Sequence, residues 1–255
     1  MPAMLTQQRK QLILDKLRQD GRIVAATLSE SLGLSEDTIR RDLRALAAAG
    51  LLQRVHGGAL PASPAAGNFE ARSSLQQIGK QAIARAAAAM VQPGQVVFID
   101  GGTSCQQLAL HLPANLRATV VTHSPTIALA LVDHPLVEVL LVGGRFYKHS
   151  VVAVGAATVE AIGRVHADLF FMGASGVSAS GGLSTGDMEE ALVKRAMMAH
   201  AAETWVLASA EKLNAASPYV IAACTEATGL IVEGDTPEKD TAAFAAQGLA
   251  IVRAG

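Results

Sequence analysis

Cysteine is scarce in this chain: Cys105 and Cys224 are the two among 255 residues, far apart and without metal-ligand spacing. Both are read as core or site-lining thiols in a reducing compartment. His111, His134, His166 and His200 are scattered in the same way, which leaves no pattern for a metal and no cofactor motif. Long apolar runs are missing too. No stretch reaches the roughly 18 apolar residues of a membrane span, and no secretory leader pattern is seen. The expectation is a cytoplasmic protein with no membrane partner. Charge of one sign is also lacking, since the net charge is -1. That balance hides an asymmetry: residues 1–58 carry nine Lys/Arg against six Asp/Glu, and residues 59–255 carry twelve against sixteen. A basic N-terminal module on an acidic body suits a nucleic-acid partner for the first part only.

What is present is half apolar, enough for a large core in one or two domains. The chain is organised around Ser35–Gly58. Ser35 stands at an N-cap position, Glu36 and Asp37 follow in the first turn, and Gly50 supplies a left-handed stop. At about 100° per residue, Ile39, Leu43 and Leu46 share one face. Asp37, Arg41 and Arg44 lie opposite, with Thr38 and Arg40 on the flanks. Such a helix offers guanidinium and hydroxyl groups to phosphates or guanine edges and fits the major groove. Helix, glycine turn, second helix, then a short basic strand Leu52–His56 ending at Gly57-Gly58 is the layout of a winged helix-turn-helix.

Before it, Thr6 is placed to cap a first helix to about Asp20, with Ile13, Leu14 and Leu17 inward and Gly21 ending it. Ile23–Val24 reads as a short strand or bend and Ala26–Leu32 as a second helix. The winged domain spans 1–60. Residues 61–74 form a linker: Pro61–Gly67 is Pro/Ala/Ser/Gly-rich without hydrophobic period, and 69–76 is a connecting arm. In the remaining domain, 75–255, a helix from about Leu75 to Val91 buries Ile78, Ile83, Ala87 and Met90. Apolar strands then alternate with helices: Val96–Ile99, Ala118–Val121, Val137–Val142, Leu169–Met172, Thr204–Ala208 and Gly229–Val232, with a long helix at Glu189–Ala202. This predicts an α/β domain with a mainly parallel sheet covered on both faces.

Ligands of such sheets bind outside the carboxyl ends of the strands. Asp100-Gly101-Gly102-Thr103-Ser104 opens a helix after the first strand, and its amides and hydroxyls suit an anion such as phosphate. Thr122-His123-Ser124, Gly143-Gly144 and Gly173-Ala174-Ser175-Gly176 follow the next strands. Together they outline one polar pocket for a small, hydroxyl-rich anion. Lys148, Lys194, Arg195 and Lys212 are candidate charged partners. Lys212, in the loop after a strand, is the best placed; Lys194 and Arg195 read at least as well as solvated helix charges.

The run LSEDTIRRDLRALAAAGLLQRVHGGA resembles the DNA-binding signature of the DeoR family of bacterial transcriptional regulators. IDGGTS, VVTHS, LVGGRF, ADLFFMGASGV, GLSTGDMEEALVKRAMM and the Lys212 segment are similar, in order, to that family's effector domain. The resemblance implies a winged helix-turn-helix joined to a domain similar to ribose-5-phosphate isomerase. It also implies repression of a sugar or polyol catabolic operon, a phosphorylated intermediate as effector, and a dimer or tetramer. The DNA-binding positions are then Ser35, Asp37, Thr38, Arg40, Arg41 and Arg44 on the helix, with Arg54 and His56 in the wing. The effector positions are Asp100 to Ser104, Thr122 to Ser124, Gly143, Gly144, Gly173 to Gly176 and Lys212. Two departures stand out: His123 where the family commonly has Asn, and Ser209-Ala210-Glu211 where it commonly has Asp-Ser-Ser, so that the carboxylate the resemblance implies beside the ligand is missing unless Glu211 substitutes for it.

The rival reading is an active sugar-phosphate isomerase with a DNA-binding head. Isomerisation needs a general base near C2 of the sugar, commonly a carboxylate. The loop Gly173–Gly176 carries none, and Asp100 alone is expected to orient a sugar hydroxyl. The domain is therefore expected to be a sensor, not an enzyme.

Overall fold

The first sixty residues fold around one small apolar cluster. The computed structural model describes residues 5–64 and 67–255. Helices α1 (Thr6–Asp20), α2 (Ala25–Leu32) and α3 (Glu36–Ala48) bury Ile13, Leu17, Leu28, Ile39, Leu43 and Leu46 against one another. Thr6 is the first helical residue and not the expected cap, since the cap position falls on Leu5, which has no side-chain acceptor. Ser35 does cap α3: the Thr38 amide donates to its Oγ at 3.3 Å. Strand β1 (Ile23–Val24) joins a wing made of β2 (Gln53–Val55) and β3 (Gly58–Leu60) in the antiparallel order β1-β3-β2. The expected single strand thus gains a partner strand beyond the glycine pair. Gly58 is obligatory there, because a Cβ would lie 1.8 Å from the Ile23 carbonyl oxygen. One charged pair sits inside this domain. Arg9 of α1 grips Asp42 of α3 through two donors, Nε to Oδ2 at 2.5 Å and Nη2 to Oδ1 at 3.2 Å, with both side chains nearly buried.

The expected linker does not run free. Ala216 donates its amide to the Pro61 carbonyl at 3.1 Å, Ser63 donates its own to the Ala216 carbonyl at 3.2 Å, and Ser63 Oγ donates to the Ser175 carbonyl at 2.5 Å. Ala65 and Ala66 of that linker lie outside the described residues. The expected arm contains α4 (Phe69–Ser73), capped by Asn68, whose Phe69 amide donates to the His149 carbonyl. Gln76 then adopts φ +47°, which breaks the chain before α5 (Gln77–Ala88). The helix is accordingly shorter than expected, and Ile78 is 85% exposed instead of buried. Five residues before Ile83, it points about 140° away from the face that Ile83, Ala84, Ala87 and Ala88 turn to the sheet.

The body then runs β4 (Val96–Ile99), α6 (Thr103–Leu110), β5 (Thr119–Thr122), α7 (Pro125–Ala130) and β6 (Glu138–Leu141). A hairpin of β7 (Arg145–Tyr147) and β8 (Val152–Val154) follows, then α8 (Ala156–Ile162) and β9 (Ala167–Gly173). Strands β10 (Gly176–Ser178) and β11 (Gly182–Thr185) precede α9 (Met188–Ala199), β12 (Ala201–Leu207) and β13 (Tyr219–Ala222). The chain ends through β14 (Gly229–Glu233), α10 (Glu238–Ala246) and β15 (Ala250–Ala254). Seven strands form one parallel sheet in the order β15-β14-β12-β9-β4-β5-β6, and β10, β11 and β13 form a small antiparallel sheet beside it. Strand alternation divides the core in two. Val97, Ile99, Phe171 and Leu207 face α5 and α6, while Phe98, Phe170, Met172 and Val206 face α9. The winding reverses between β4 and β9, and the crevice at that switch point opens above their carboxyl ends.

Breaking the Arg9–Asp42 pair from one side should strand a nearly buried charge. Asp42→Ala is expected to lower the stability of the N-terminal domain by about 3 kcal/mol in denaturant unfolding, whereas replacing both by Met and Leu should cost far less. Equal losses for the single and double variants would refute a structural role for the pair.

Candidate functional site

On the helix-turn-helix the sequence-selected residues share one exposed surface. Arg41 donates to Asp37 at 2.7 Å, Arg44 lies 3.7 Å from the same carboxylate, and Arg40 donates to Glu36 at 2.5 Å. All three guanidiniums remain largely exposed. Thr38 and Ser35 share a hydroxyl contact of 3.0 Å at the start of the helix. Arg40, Arg54 and His56 line a common cleft between α3 and the wing, with Leu43 at its floor. Exposed i,i+4 pairs of this kind contribute little to stability, so their arginines are free to exchange a carboxylate for a phosphate.

In the body, a narrow, partly open cavity lies at the switch point. Gly101 to Ser104 form one wall at the N-terminus of α6, and Gly173 to Ser175 form the opposite wall after β9. Gly102 has φ +101°, which turns the chain into α6, and a Cβ on Gly101 would strike Val152 at 2.2 Å. Four cations reach the cavity: Arg72, Lys80, Lys194 and Lys212. Lys212 Nζ donates to Ser104 Oγ at 3.1 Å and to the Leu207 carbonyl at 3.4 Å. Lys80 Nζ donates to the Arg72 carbonyl at 2.6 Å. Burial, and then the charge of Lys212, pulls the Lys80 ammonium down to about 8. Burial likewise lowers Lys212 and Arg72 from their ordinary values. Two carboxylates, Glu190 and Glu211, are also in the wall.

Behind this wall, fully buried, stands Asp100. Its Oδ1 accepts from the Gly101 amide at 2.8 Å and faces His123 Nε2 at 3.0 Å; its Oδ2 accepts from the Gly173 amide at 2.8 Å and from Lys194 Nζ. Burial alone would raise this carboxyl, but the charge of Lys194 and the His123 hydrogen bond outweigh it and hold Asp100 at about 2. Burial opposes the Lys194 ammonium too, yet Asp100 and Glu190 raise it above its ordinary value. Burial, reinforced by Asp100, pushes the Cys105 thiol up to about 12, an inert core group.

The cavity therefore gathers Gly101, Gly102, Thr103, Ser104, Gly173, Ala174, Ser175 and Lys212 from the sequence-selected set. It leaves others out. Asp100 spends its acceptors on protein donors, so it does not face the cavity as the expected hydroxyl-orienting group. His123 is fully buried between Asp100 and the Ala153 carbonyl. The hydroxyl of Thr122 accepts from the Ser124 amide, and that of Ser124 donates to the Val151 carbonyl. Gly143 and Gly144 lie at the hairpin, where the Gly143 carbonyl accepts from Thr158; Gly176 is inside β10. Lys148 is exposed and outside the wall. Lys194 is not a solvated helix charge: it is buried on Asp100. Arg195 points the other way, to the Ile221 carbonyl. Sequence reasoning missed Arg72, Lys80 and Glu190, and named Glu211 only as a possible substitute for the carboxylate that the family commonly has before Lys212. A signal existed for two of them, since Lys80 and Glu190 occupy apolar-face positions of α5 and α9. The loop Gly173–Gly176 carries no acid, as read from the sequence, but the carboxylates that line the cavity are Glu190 and Glu211 and not Asp100.

No helix among the described residues is long and apolar enough to cross a membrane. Comparison with known proteins identifies both parts. Residues 9–64 match the DeoR-like helix-turn-helix domain, and residues 75–234 match the DeoR C terminal sensor domain. The HTH-type transcriptional regulator GlpR of Haloferax volcanii is 35% identical over 241 residues, 93% of either chain. The glycerol-3-phosphate regulon repressor of Escherichia coli is 32% identical over 192 residues, 75% of this chain and 76% of its own. Ribose 5-phosphate isomerase A of Methanocaldococcus jannaschii overlaps 56% of this chain and 54% of its own, with a TM-score of 0.38 and 16% identity. With the helix-turn-helix matched at one end and the sensor domain over most of the remainder, this chain belongs to the DeoR family of DNA-binding transcriptional regulators.

Proposed function

We propose that this regulator represses an operon of sugar or polyol catabolism and releases its operator when a phosphorylated intermediate enters the cavity at the switch point. The observation that carries this reading is the composition of that wall. Helix N-terminal amides, Thr103 and Ser104 hydroxyls, Lys80 and Lys212 converge on one space, the donor set an anion of phosphate type requires. The naming of an E. coli relative for a glycerol-3-phosphate regulon supports the same ligand class. The domain acts as a sensor and not as a catalyst, which the regulator names of both relatives favour.

Two copies of the chain, in a dimer or a pair of dimers, place two α3 helices in major grooves of a repeated operator. Arg41 and Arg44 read base edges or phosphates, with Asp37 releasing them on contact. Thr38, Arg40, Arg54 and His56 hold the backbone, and Ser35 fixes the start of the helix. The domains divide at residues 61–74, and that segment couples them. Pro61–Ser63 is bonded to Ala216 and to the Ser175 carbonyl, directly behind two loops of the cavity. A ligand that binds one arrangement of those loops better than another shifts the population of head orientations by that difference in affinity.

Replacing Arg41 by Ala should weaken binding to an operator selected from random duplexes by roughly tenfold or more, the loss expected for one base-reading arginine. Fluorescence anisotropy that showed unchanged affinity would remove Arg41 from the interface. Lys212→Met should fold normally, since it relieves a buried charge. It should weaken binding of inorganic phosphate about tenfold in thermal-shift titrations; undiminished phosphate binding would refute the anion site. Phosphate affinity of the wild type should also fall as pH rises through about 8, where Lys80 loses its proton and its charge. Calorimetric titration giving constant affinity from pH 7 to pH 9 would exclude Lys80 from the site.

A further inference from the structure

We propose that Glu211 reads a hydroxyl on the effector and so determines which phosphate ester the cavity accepts; this deepens the sensor reading above and rests on it. Glu211 lines the cavity from the turn Ala210–Lys212, after β12. That turn is pinned. The Ala210 amide donates to Glu233 Oε2 at 2.9 Å, and the Lys212 amide donates to the Ser209 carbonyl at 2.9 Å. The carboxylate itself is half spoken for, since Ser209 Oγ donates to Oε1 at 2.8 Å. The other oxygen, Oε2, is buried and accepts no hydrogen bond from any described residue.

A carboxyl oxygen held out of water without a donor is a cost the fold retains. The neighbouring cations do not relieve it. Lys212 donates to Ser104 and Leu207, and Lys80 donates to the Arg72 carbonyl. Their hydrogen bonds go elsewhere. A phosphate dianion cannot supply the missing donor, because it has no proton to give and carries the same sign of charge. The donor must therefore come from the unphosphorylated part of the ligand. A hydroxyl fits: it donates to Oε2 and accepts in turn from the lysines around it. The cavity is thus two-ended, with phosphate at the α6 terminus, Ser104 and Lys212, and a polyol hydroxyl at Glu211.

The test compares methyl phosphate, glycerol 3-phosphate and sorbitol 6-phosphate on the full-length protein, by thermal-shift titration. Wild type should bind at least one of the two polyol phosphates at least tenfold more tightly than methyl phosphate. Glu211→Ala should abolish that preference and tighten methyl phosphate, because a negative charge beside the anion end is gone. Its own melting temperature should be no lower than wild type, since the unpartnered carboxylate is removed with the side chain. Glu211→Gln keeps an acceptor oxygen and should retain part of the preference. A variant Glu211→Ala that still prefers polyol phosphates would overturn the assignment, as would a wild type that binds all three esters equally. Failure of wild type to bind any phosphate ester, or inorganic phosphate, would overturn the sensor reading and this one with it.

Discussion

The body of this protein depends on one buried carboxylate. Asp100 follows β4, and its two oxygens take up four donors from four places: the Gly101 amide, the Gly173 amide at the end of β9, His123 after β5 and Lys194 on α9. A fully buried charge is tolerable only when its lone pairs are satisfied and a cation lies beside it. Here both conditions are met, and the carboxyl is held at about 2 as a result. The consequence is geometric. Loops after two adjacent strands are locked to each other and to a helix on one face of the sheet, so the space between them has fixed walls. Gly101, pressed against Val152, and Gly102, with its positive φ, are the backbone conditions for bringing α6 that close.

This explains which parts of the site could be read in the sequence. The strand-end loops were legible because an apolar strand followed by Gly, Ser and Thr can hardly be anything else in a parallel sheet. The division of labour within them was not. Asp100, Thr122, His123 and Ser124 have the chemistry of ligand-binding residues, and the fold spends that chemistry on joining loops. Lys194 shows the converse error: one helix carries Glu189, Glu190, Lys194 and Arg195, which reads as a solvated face until its phase is set against Ala191 and Met197. Set that way, Glu190 and Lys194 fall on the buried side. Lys80 on α5 carries the same mark beside Ile83, Ala84 and Ala87. A charge at an apolar-stripe position must find a partner inside, and in both helices that interior is the cavity wall.

The helix-turn-helix was the more legible half for a physical reason. Its function rests on side chains that point into solvent from a single amphipathic helix, and periodicity alone assigns those. Ile39, Leu43 and Leu46 are buried and Arg40, Arg41 and Arg44 exposed, as the 3.6-residue repeat requires. What periodicity leaves out is contact between elements distant in sequence. Asp42 falls on the inward side of α3, yet only the arrival of Arg9 from α1 makes that position tenable. The second wing strand was missed because three residues, Gly-Ala-Leu, are too short to show an alternation.

The segment between the halves decides how much one can influence the other. Composition marks 61–67 as a linker, and a linker with no contacts to either side transmits nothing. Instead Pro61–Ser63 makes at least three hydrogen bonds to the body, one to Ser175 in the cavity wall and two to Ala216, four residues beyond Lys212. Each such bond is worth about 1 kcal/mol net, so the attachment amounts to about 3 kcal/mol. Coupling free energies between regulatory sites commonly span about 1–3 kcal/mol. An attachment of that size falls in the range that a ligand of ordinary affinity could shift. A tether bound far more tightly would fix the head regardless of ligand; one bound by a single exposed contact would leave it indifferent.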